Sequence, residues 1–316
     1  MKREVFVGID TSNYTTSLAI VDKSGELVAN LKMPLPVKAG ERGLRQSDAV
    51  FAHVKNLPKL LDVAERYLAD SRVLAIGVSE RPRNVEGSYM PCFLSGAVAA
   101  KSLSVALSVP LYSFSHQCGH IMAALYSSGA LALGLESFGA MHVSGGTTEL
   151  LSVRRCEEGG FDAELRGGTR DLNAGQVIDR VGVAMGLPFP AGPHLERLAL
   201  SYKGKIHKKQ VSTDGTYMNL SGLENMATSL YKERGDAAEV AAFVLEYIGS
   251  SLLSVTESFL SDNPDLHFVY AGGVMCNSII KNKLSGKIKN VHFATPDMSA
   301  DNAVGIACLA REKYNP

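Results

Sequence analysis

The hydrophobic and polar positions of this chain follow two periods, which predict strands alternating with helices. Residues 5–10 form a short apolar run typical of a buried strand, and a polar turn separates it from a second predicted strand, residues 17–21. The Ser24-Gly25 pair predicts a turn into a third strand, residues 27–32. We therefore expect the chain to begin with a β-hairpin whose first turn is rich in hydroxyl groups.

Helical periodicity alternates with further strands over the next part of the chain. Apolar residues at helical spacing predict a helix over residues 48–68, and small residues predict a second helix over residues 96–107. Apolar runs predict strands at residues 73–78 and 109–113. Strands that alternate with helices are typical of the α/β class.

The opening pattern of strand, turn and strand recurs about 130 residues later, at residues 140–154, with Gly145-Gly146-Thr147 as its turn. This repeat predicts two related lobes, each with one phosphate-binding turn. The later expected elements are helices at 175–185, 239–260 and 301–311, a strand at 267–271 that leads into Gly272-Gly273, and a polar surface excursion at 203–219.

Composition places few limits on function. The 316 residues include 32 basic and 32 acidic side chains, so no global field attracts nucleic acid or a membrane surface. Five scattered cysteines without a Cys-x-x-Cys pair favour a reducing compartment. The N-terminus enters a strand without a signal region, and no run approaches the roughly 20 apolar residues of a membrane span. We expect a cytoplasmic protein without a membrane partner.

A candidate metal site is indicated by His116 and His120 in the segment SHQCGH. A helix that begins near Ser115 places the two imidazoles one turn apart on one face, where they can share a cation. Gln117 stands where zinc peptidases need a glutamate as general base, which excludes that mechanism. Asp301 is the expected third ligand, at the start of the last helix. Helix packing for the histidine pair and helix capping for Asp301 are the alternatives.

Two imidazoles and one carboxylate suit Fe²⁺ or Zn²⁺ better than Mg²⁺, which prefers oxygen ligands and water. The glycine turns indicate a second kind of site, because backbone N–H groups approach phosphate oxygens closely only where side chains are absent. Ser144 and Thr147 would add hydroxyl donors to the first turn. Gly272-Gly273, followed by Asn277, would suit the adenosine end of a nucleotide. Tight turns without a ligand are the alternative for each glycine pair.

Eight segments occur in the order found in one known family: GIDTS, SHQCGH, HVSGGTTEL, NAGQVIDRVG, FPAGP, LSGLEN, YAGGVMCN and SADNAVGIA. Through almost its whole length the chain resembles the TsaD/Gcp family, which includes Kae and YgjD-like proteins. The resemblance implies the ASKHA fold of actin, sugar kinases and Hsp70. It further implies two duplicated lobes, residues 1–110 and 111–316, around a nucleotide-binding cleft, with the metal and nucleotide site at their interface.

The resemblance also implies a role for each matching residue. His116, His120 and Asp301 would bind the metal. The phosphates would lie against residues 142–146, and Asp179, Gly192, Glu196 and Asn277 would hold the adenosine or acyl part; no residue is assigned as catalytic. The implied substrate-binding residues are His142, Val143, Ser144, Gly145, Gly146, Asp179, Gly192, Glu196, Gly272, Gly273 and Asn277.

The family's activity is the transfer of a threonylcarbamoyl group from threonylcarbamoyl-AMP to N6 of adenosine 37 in tRNA. The implied cofactors are one divalent metal, Fe²⁺ or Zn²⁺, and a nucleotide, either threonylcarbamoyl-AMP or ATP and AMP. The implied partners are tRNA, a related TsaB-like subunit and small accessory proteins, and the resemblance is also compatible with a dimer.

The chain departs from the family at several substrate-side positions. The family's first turn usually contains ETSCDET, whereas Tyr14 and Thr15 stand here at the two acidic places. Residues 80–83 replace a Gly-Pro-Gly turn, Thr147 replaces a histidine, and Gln176 replaces a glutamate. These changes predict a divergent member. The alternative functions are carbamoyl transfer to another acceptor, or a non-catalytic partner of the active TsaD. A small-molecule kinase or ATPase that uses Asp10 is a third hypothesis.

Overall fold

The computed structural model describes residues 2–12, 14–36, 44–156, 159–206, 209–299, 301 and 303–314. Its strands are β1 (Arg3–Ser12), β2 (Thr15–Asp22), β3 (Leu27–Pro34), β4 (Ser71–Arg81), β5 (Leu111–Ser115), β6 (Ser137–Val143), β7 (Thr148–Arg155), β8 (Phe161–Thr169), β9 (Thr213–Asp214), β10 (Tyr217–Met218), β11 (Phe268–Ala271) and β12 (Val291–Phe293). Its α-helices are α1 (Gln46–Leu68), α2 (Phe93–Leu107), α3 (His116–Ser128), α4 (Ala174–Ala184), α5 (Gly192–Ser201), α6 (Ser221–Arg234), α7 (Ala237–Phe259), α8 (Ser278–Ser285), α9 (Pro296–Ser299) and α10 (Val304–Tyr314).

The chain divides into two compact units, both discontinuous in sequence. Unit 1 contains Met1–Ala132, Arg155–Asp162 and Asp297–Pro316, and unit 2 contains Leu133–Arg154 and Ala163–Pro296. The lobes expected from the sequence, residues 1–110 and 111–316, are continuous segments and have different bounds. The expected arrangement of two lobes around a cleft stays a prediction.

Unit 1 is built on a five-stranded sheet in the order β3-β2-β1-β4-β5. The first three strands are antiparallel neighbours, whereas β4 runs parallel to β1 and β5 runs parallel to β4. Neighbouring residues of β1 point to opposite faces of the sheet. A Cβ on Gly8 would meet Ala307 of α10, while Ile9 lies beside Gly96 of α2. Helices α10 and α2 therefore cover opposite faces.

Unit 2 contains a seven-stranded sheet in the order β12-β11-β6-β7-β8-β10-β9. Strands β6 and β7 form the second antiparallel hairpin, and β11 pairs with β6 in parallel. The core of this unit packs helices α4 to α8 around the side chains of Phe268, Tyr270 and Val244. Two similar strand pairs thus occur in the two units, as the sequence repeat predicted.

Helix α7 is apolar and long enough to cross a membrane by length and composition, but most of its apolar window is buried in the protein. Its buried face belongs to the core of unit 2. We therefore interpret α7 as a core helix. The sequence showed no unbroken apolar run here because Glu239, Glu246 and Glu257 interrupt it.

Most predicted elements are confirmed within a few residues, including the first three strands, α1, α2, α4, α7 and β11. The strand expected at 109–113 begins at Leu111, because Val109 N donates to Ser104 O and closes the end of α2. The excursion at 203–219 contains β9 and β10, and β10 pairs with β8 while Met218 is buried. Strand β8, helices α5, α6 and α8, and strand β12 were not predicted.

Candidate functional site

Three polar residues of unit 1 meet at the carboxyl ends of its parallel strands. Asp10 lies near the end of β1, Ser79 near the end of β4, and His116 directly after β5. Because β1, β4 and β5 run in the same direction, these three ends lie at one edge of the sheet. Ligands of open α/β sheets usually bind at this edge. The sheet order therefore brings together residues that are up to 106 positions apart.

The two histidines are presented by the first turns of α3. Ser115 has extended backbone angles and its Oγ accepts a hydrogen bond from Cys118 N at 3.2 Å, so it caps the helix N-terminus. His116 and His120 follow on one face, with their ring centroids 4.3 Å apart. Their Nε2 atoms are 2.9 Å apart. The helix start predicted near Ser115 is confirmed.

Asp301 approaches the same two nitrogens from a loop. Its Oδ1 lies 3.3 Å from His120 Nε2 and 3.6 Å from His116 Nε2. The expectation that Asp301 starts the last helix is wrong, because α10 begins at Val304. The backbone of α10 packs tightly against α3, since a Cβ on Gly305 would lie 2.8 Å from Ala123 N. This close approach holds the preceding loop near the histidine-bearing turns.

The three donor atoms fit a single cation. Ligand atoms at about 2.0–2.2 Å from a zinc-sized ion stand roughly 2.9–3.5 Å from one another in tetrahedral or octahedral geometry. The three donor atoms lie within 4.8 Å of one another. Among the described residues, these three form the group of His, Cys, Asp or Glu side chains whose ligand atoms are close enough to hold one metal ion. His116, His120 and Asp301 are all partly exposed. Positions on the solvent side of an ion would thus remain available for a substrate.

Asp10 binds the opposite side of the His116 ring. Its Oδ2 lies 2.6 Å from His116 Nδ1, and its Oδ1 accepts a hydrogen bond from Ser79 Oγ at 2.7 Å. The Asp10 side chain is only 1% exposed. Burial disfavours charge on the imidazole, but the Asp10 carboxylate outweighs this effect and raises the pKa of His116 to about 9.

Lys32 places a positive charge near the same loop. Its Nζ donates to the carbonyl oxygen of Asp297 at 2.6 Å. Burial lowers the pKa of the Lys32 ammonium, and the charges of Asp297 and Asp301 partly oppose this effect. Lys32, Ser17 and Asp10 occupy directly paired positions on three adjacent strands, so their side chains share one face of the sheet.

The first glycine turn lies between β6 and β7 in unit 2. Ser144 N donates to Thr147 O at 2.7 Å, and Ser144 Oγ accepts hydrogen bonds from Gly146 N and Thr147 N. Those two amides are therefore already bonded within the turn. A Cβ on Gly145 or Gly146 would meet nothing within 4 Å. These two glycines therefore border open space, and packing against neighbouring atoms does not require a glycine at either position.

The second glycine turn joins β11 to a short 3-10 helix, Gly273–Cys276. Gly272 has φ +99°, and a Cβ there would lie 2.7 Å from the carbonyl carbon of Val143. Both backbone conformation and packing require glycine at this position. Gly273 has open space around its Cβ direction. The structure thus brings the second turn against the end of β6, next to the first turn.

The remaining predicted residues of unit 2 form paired contacts. Asp179 Oδ1 accepts from Ala191 N at 2.8 Å, beside Gly192, and burial raises the pKa of the Asp179 carboxyl. Glu196 Oε1 accepts from the backbone N and the Oγ of Ser278. The neighbouring Asn277 caps α8 through its side-chain oxygen, which accepts from the N–H groups of residues 279 and 280.

The structure also assigns local contacts to some departures from the family pattern. Gln176 Oε1 accepts from Asn173 N at 3.0 Å as part of a capping box at the start of α4. Tyr14, in the first turn, is 45% exposed. Pro82, in the segment that replaces the Gly-Pro-Gly turn, accepts a hydrogen bond from Gln117 N through its carbonyl oxygen.

Sequence reasoning did not identify the contacts of Asp10, Ser79 and Lys32. A usable signal existed for the first two, because both stand at the ends of predicted strands that precede a helix or turn. Parallel pairing of those strands would place Asp10 and Ser79 beside the first residue of α3. Lys32 carried no such signal, since its contact is made with a residue 265 positions away.

Solved structures of other proteins share this fold. HypF of T. kodakarensis aligns with a TM-score of 0.62 and 14% identity, covering 99% of this chain and 48% of that protein. A ROK family glucokinase from Streptomyces griseus aligns with a TM-score of 0.53 and 12% identity, covering 98% of this chain and 99% of the kinase. At such low sequence identity, the structural similarity is evidence for the fold alone. It confirms the ASKHA fold expected from the sequence.

Sequence relatives are more specific. A protein of Carboxydothermus hydrogenoformans named tRNA N6-adenosine threonylcarbamoyltransferase is 33% identical over 98% of this chain and 92% of its own length. A protein of Streptococcus suis with the same name is 30% identical over 100% of this chain and 94% of its own length. The model of the TsaD family, described as tRNA N6-adenosine threonylcarbamoyltransferase, matches residues 39–308. This chain therefore belongs to the TsaD family.

Proposed function

We propose that this protein transfers a threonylcarbamoyl group from threonylcarbamoyl-AMP to N6 of adenosine 37 in tRNA. The observation that carries the proposal is the full-length relationship to proteins named for this activity, together with the cluster of His116, His120 and Asp301. The family name gives tRNA as the substrate class. A tRNA substrate supports a cytoplasmic location.

In this proposal, the Nε2 atoms of His116 and His120 and the Oδ1 atom of Asp301 hold one divalent cation. Two nitrogens and one oxygen favour Fe²⁺ or Zn²⁺ over Mg²⁺. Such a cation, when bound, draws electron density from an oxygen of the substrate and stabilises negative charge that develops during transfer. The protein contributes a preformed donor set, because α3 and the Asp301 loop already place the three atoms 2.9–3.6 Å apart.

The nucleotide part of the substrate would bind the turns and polar residues of unit 2. The open space above Gly145, Gly146 and Gly273 would admit phosphate oxygens close to the backbone. The hydroxyl proton of Ser144 can point toward them, because its oxygen already accepts the two turn amides. The adenosine or acyl part would contact the polar set Asp179, Gly192, Glu196 and Asn277, with His142, Val143 and Gly272 along the turns.

Partner proteins belong to the same proposal. A related TsaB-like subunit and small accessory proteins would assemble with this chain, as the family resemblance implies, and a dimer of this chain is compatible with it.

A second candidate function is supported by the first turn. Tyr14 is exposed at a position where the family usually carries an acid, and Thr15 replaces the neighbouring acid. Loss of a general base or acid lowers a rate by about 10²-fold to 10⁴-fold. The chain would then act as a carbamoyltransferase on another acceptor, or as a non-catalytic partner of an active TsaD.

The test is the level of threonylcarbamoyladenosine in bulk tRNA, measured by nucleoside mass spectrometry. Cells depleted of their own TsaD are supplied with this protein, with His116→Ala, or with the control His292→Ala, whose ring lies on β12 and pairs with His267. We expect the wild type and His292→Ala to restore the modification and His116→Ala to lose it. Absence of the modification with a folded, metal-loaded wild type would contradict the transferase function and favour the second candidate.

A further inference from the structure

Asp10 stands behind the proposed metal site rather than in it. Its Oδ2 is bonded to His116 Nδ1 at 2.6 Å, and the other nitrogen of the same ring, Nε2, faces His120 and Asp301. A neutral imidazole whose Nδ1–H group donates a hydrogen bond to a carboxylate keeps the lone pair of Nε2 available for a cation. The pair thus selects one tautomer of His116 and one orientation of its ring.

Both oxygens of the Asp10 carboxylate are already engaged in hydrogen bonds. Ser79 Oγ donates to Oδ1, and His116 binds Oδ2, while the side chain is 1% exposed. A buried carboxylate is tolerated only where it is bonded to donors, and both donors here belong to the carboxyl-end edge of the sheet. A kinase-like role, in which Asp10 would bind magnesium beside phosphates, does not fit this arrangement.

The backbone of Asp10 is fixed as well. Ser17 Oγ donates to the carbonyl oxygen of Asp10 at 3.1 Å, and the two residues are paired across β1 and β2. Both are buried in the sheet. The carboxylate therefore projects from a rigid strand and not from a mobile turn, which is what a group that orients a metal ligand requires.

From this geometry we propose that Asp10 is a positioning residue for the metal, acting through His116 and supported by Ser79. The inference rests on the metal site of the proposed function and deepens it. Outer carboxylates that orient a ligating histidine usually change metal affinity about 10-fold to 100-fold when they are replaced. We expect an effect of that size at Asp10 and a smaller one at Ser79, which contacts the carboxylate and not the ring.

The test measures Co²⁺ and Zn²⁺ affinity of the full-length protein, stripped of metal, by competition with a chromophoric chelator. Asp10→Asn is compared with Ser79→Ala and with the control Ser251→Ala, which removes a buried hydrogen bond from a serine hydroxyl to a backbone carbonyl in α7 of unit 2. We expect affinity to fall about 10-fold to 100-fold in Asp10→Asn, about threefold or more in Ser79→Ala, and less than twofold in Ser251→Ala. Circular dichroism of the metal-free variants checks that each is folded. If Asp10→Asn does not fold, the affinity of Ser79→Ala tests the proposal.

Two spectroscopic readouts separate positioning from other roles. The Co²⁺ absorption spectrum should keep the same coordination class in Asp10→Asn, whereas a changed coordination number would show that Asp10 is itself a ligand and would overturn the proposal. Nitrogen NMR of the metal-free wild type, recorded above the pKa of His116 where the ring is neutral, should show the His116 proton on Nδ1, and this preference should weaken in Asp10→Asn. Unchanged metal affinity in folded Asp10→Asn would also overturn the proposal. Neither assay contains tRNA or threonylcarbamoyl-AMP, so failure of the transferase function would leave these results intact.

Discussion

Replacement of Gly305 by alanine should separate α10 from α3, the helix that carries the two histidines of the proposed metal site. A Cβ at Gly305 of α10 would point into the carbonyl oxygen of Gly119 and would lie 2.8 Å from Ala123 N. Both are backbone atoms of α3, so no side chain can rotate away. Gly119 lies between His116 and His120, and the Asp301 loop directly precedes α10.

The magnitude follows from this spacing. Ordinary contact for a Cβ begins at 3.4 Å, so the 2.8 Å approach to Ala123 N alone requires a separation of 0.6 Å, and the still closer Gly119 oxygen requires more. Overpacking of this kind costs about 1–3 kcal/mol, although alanine recovers up to about 1 kcal/mol of helix propensity. At about 2–4 °C per kcal/mol for a chain of this size, we expect Tm to fall by several degrees. The affinity for Zn²⁺ should fall with it, because the shift separates Asp301 from the histidines.

The assay is thermal unfolding by circular dichroism, together with zinc competition at 25 °C. Gly222→Ala is the matched control: Gly222 lies in α6, and a Cβ there would meet nothing within 4 Å. That variant should be neutral or slightly more stable. If Gly305→Ala has the Tm and zinc affinity of the wild type, the close contact of α10 with α3 does not hold the metal loop, and the reasoning is refuted.

Two further predictions concern unit 2. Asp171→Asn should destabilise the protein by about 1 kcal/mol at neutral pH, because the Asp171 carboxylate accepts from the backbone N–H groups of Leu220 and Ser221 at the start of α6. Burial opposes ionisation, but hydrogen bonds from the Ser221 hydroxyl and from backbone N–H groups lower the pKa of Asp171 from 3.8 to about 2, so its stabilising effect is present above pH 3.8 and is lost as the pH falls through about 2. In urea titrations the difference between the variant and the wild type should therefore shrink at acid pH, and a difference that grows instead would exclude a capping carboxylate. Thr256→Val should cost about 1–3 kcal/mol, because it removes the hydrogen-bond partner of the buried Tyr270 hydroxyl; Tyr270→Phe in the same background should recover part of this loss, and no recovery would show that the hydroxyl pair is not the cause.

The local structure of the proposed metal site could be predicted from a short segment. Ser115 followed by His116 and His120 indicates a capped helix with two imidazoles on one face, and the structure has that helix. The spacing of the histidines is set by helical geometry, which depends only on neighbours in sequence. The structure brings Asp301 close to both histidines, whereas its expected place at the start of the last helix is wrong, since Asp301 lies three residues before α10.

The strands show the same difference between local structure, which the sequence predicted, and long-range pairing, which it did not. Alternation and turn residues predicted β1, β2, β6 and β7, because these strands pair with their neighbours in the chain. Strand β8 was missed, and so was its pairing with the two-residue strand β10, about 50 residues later. A strand this short has no periodicity of its own, and only its partner gives it a defined conformation.

The sequence by itself determined many of the elements, including the repeated hairpins and the helix that carries the histidine pair, because hydrophobic period, capping and turn chemistry act between residues close in the chain. The tertiary structure alone decided that the last twenty residues return to unit 1, that Asp10 lies against His116, and that Glu196 binds Ser278. These contacts depend on strand order and on the close approach of α10 to α3. Such long-range pairings leave no period in the sequence, because the two partners are joined only after the sheets and helices have packed.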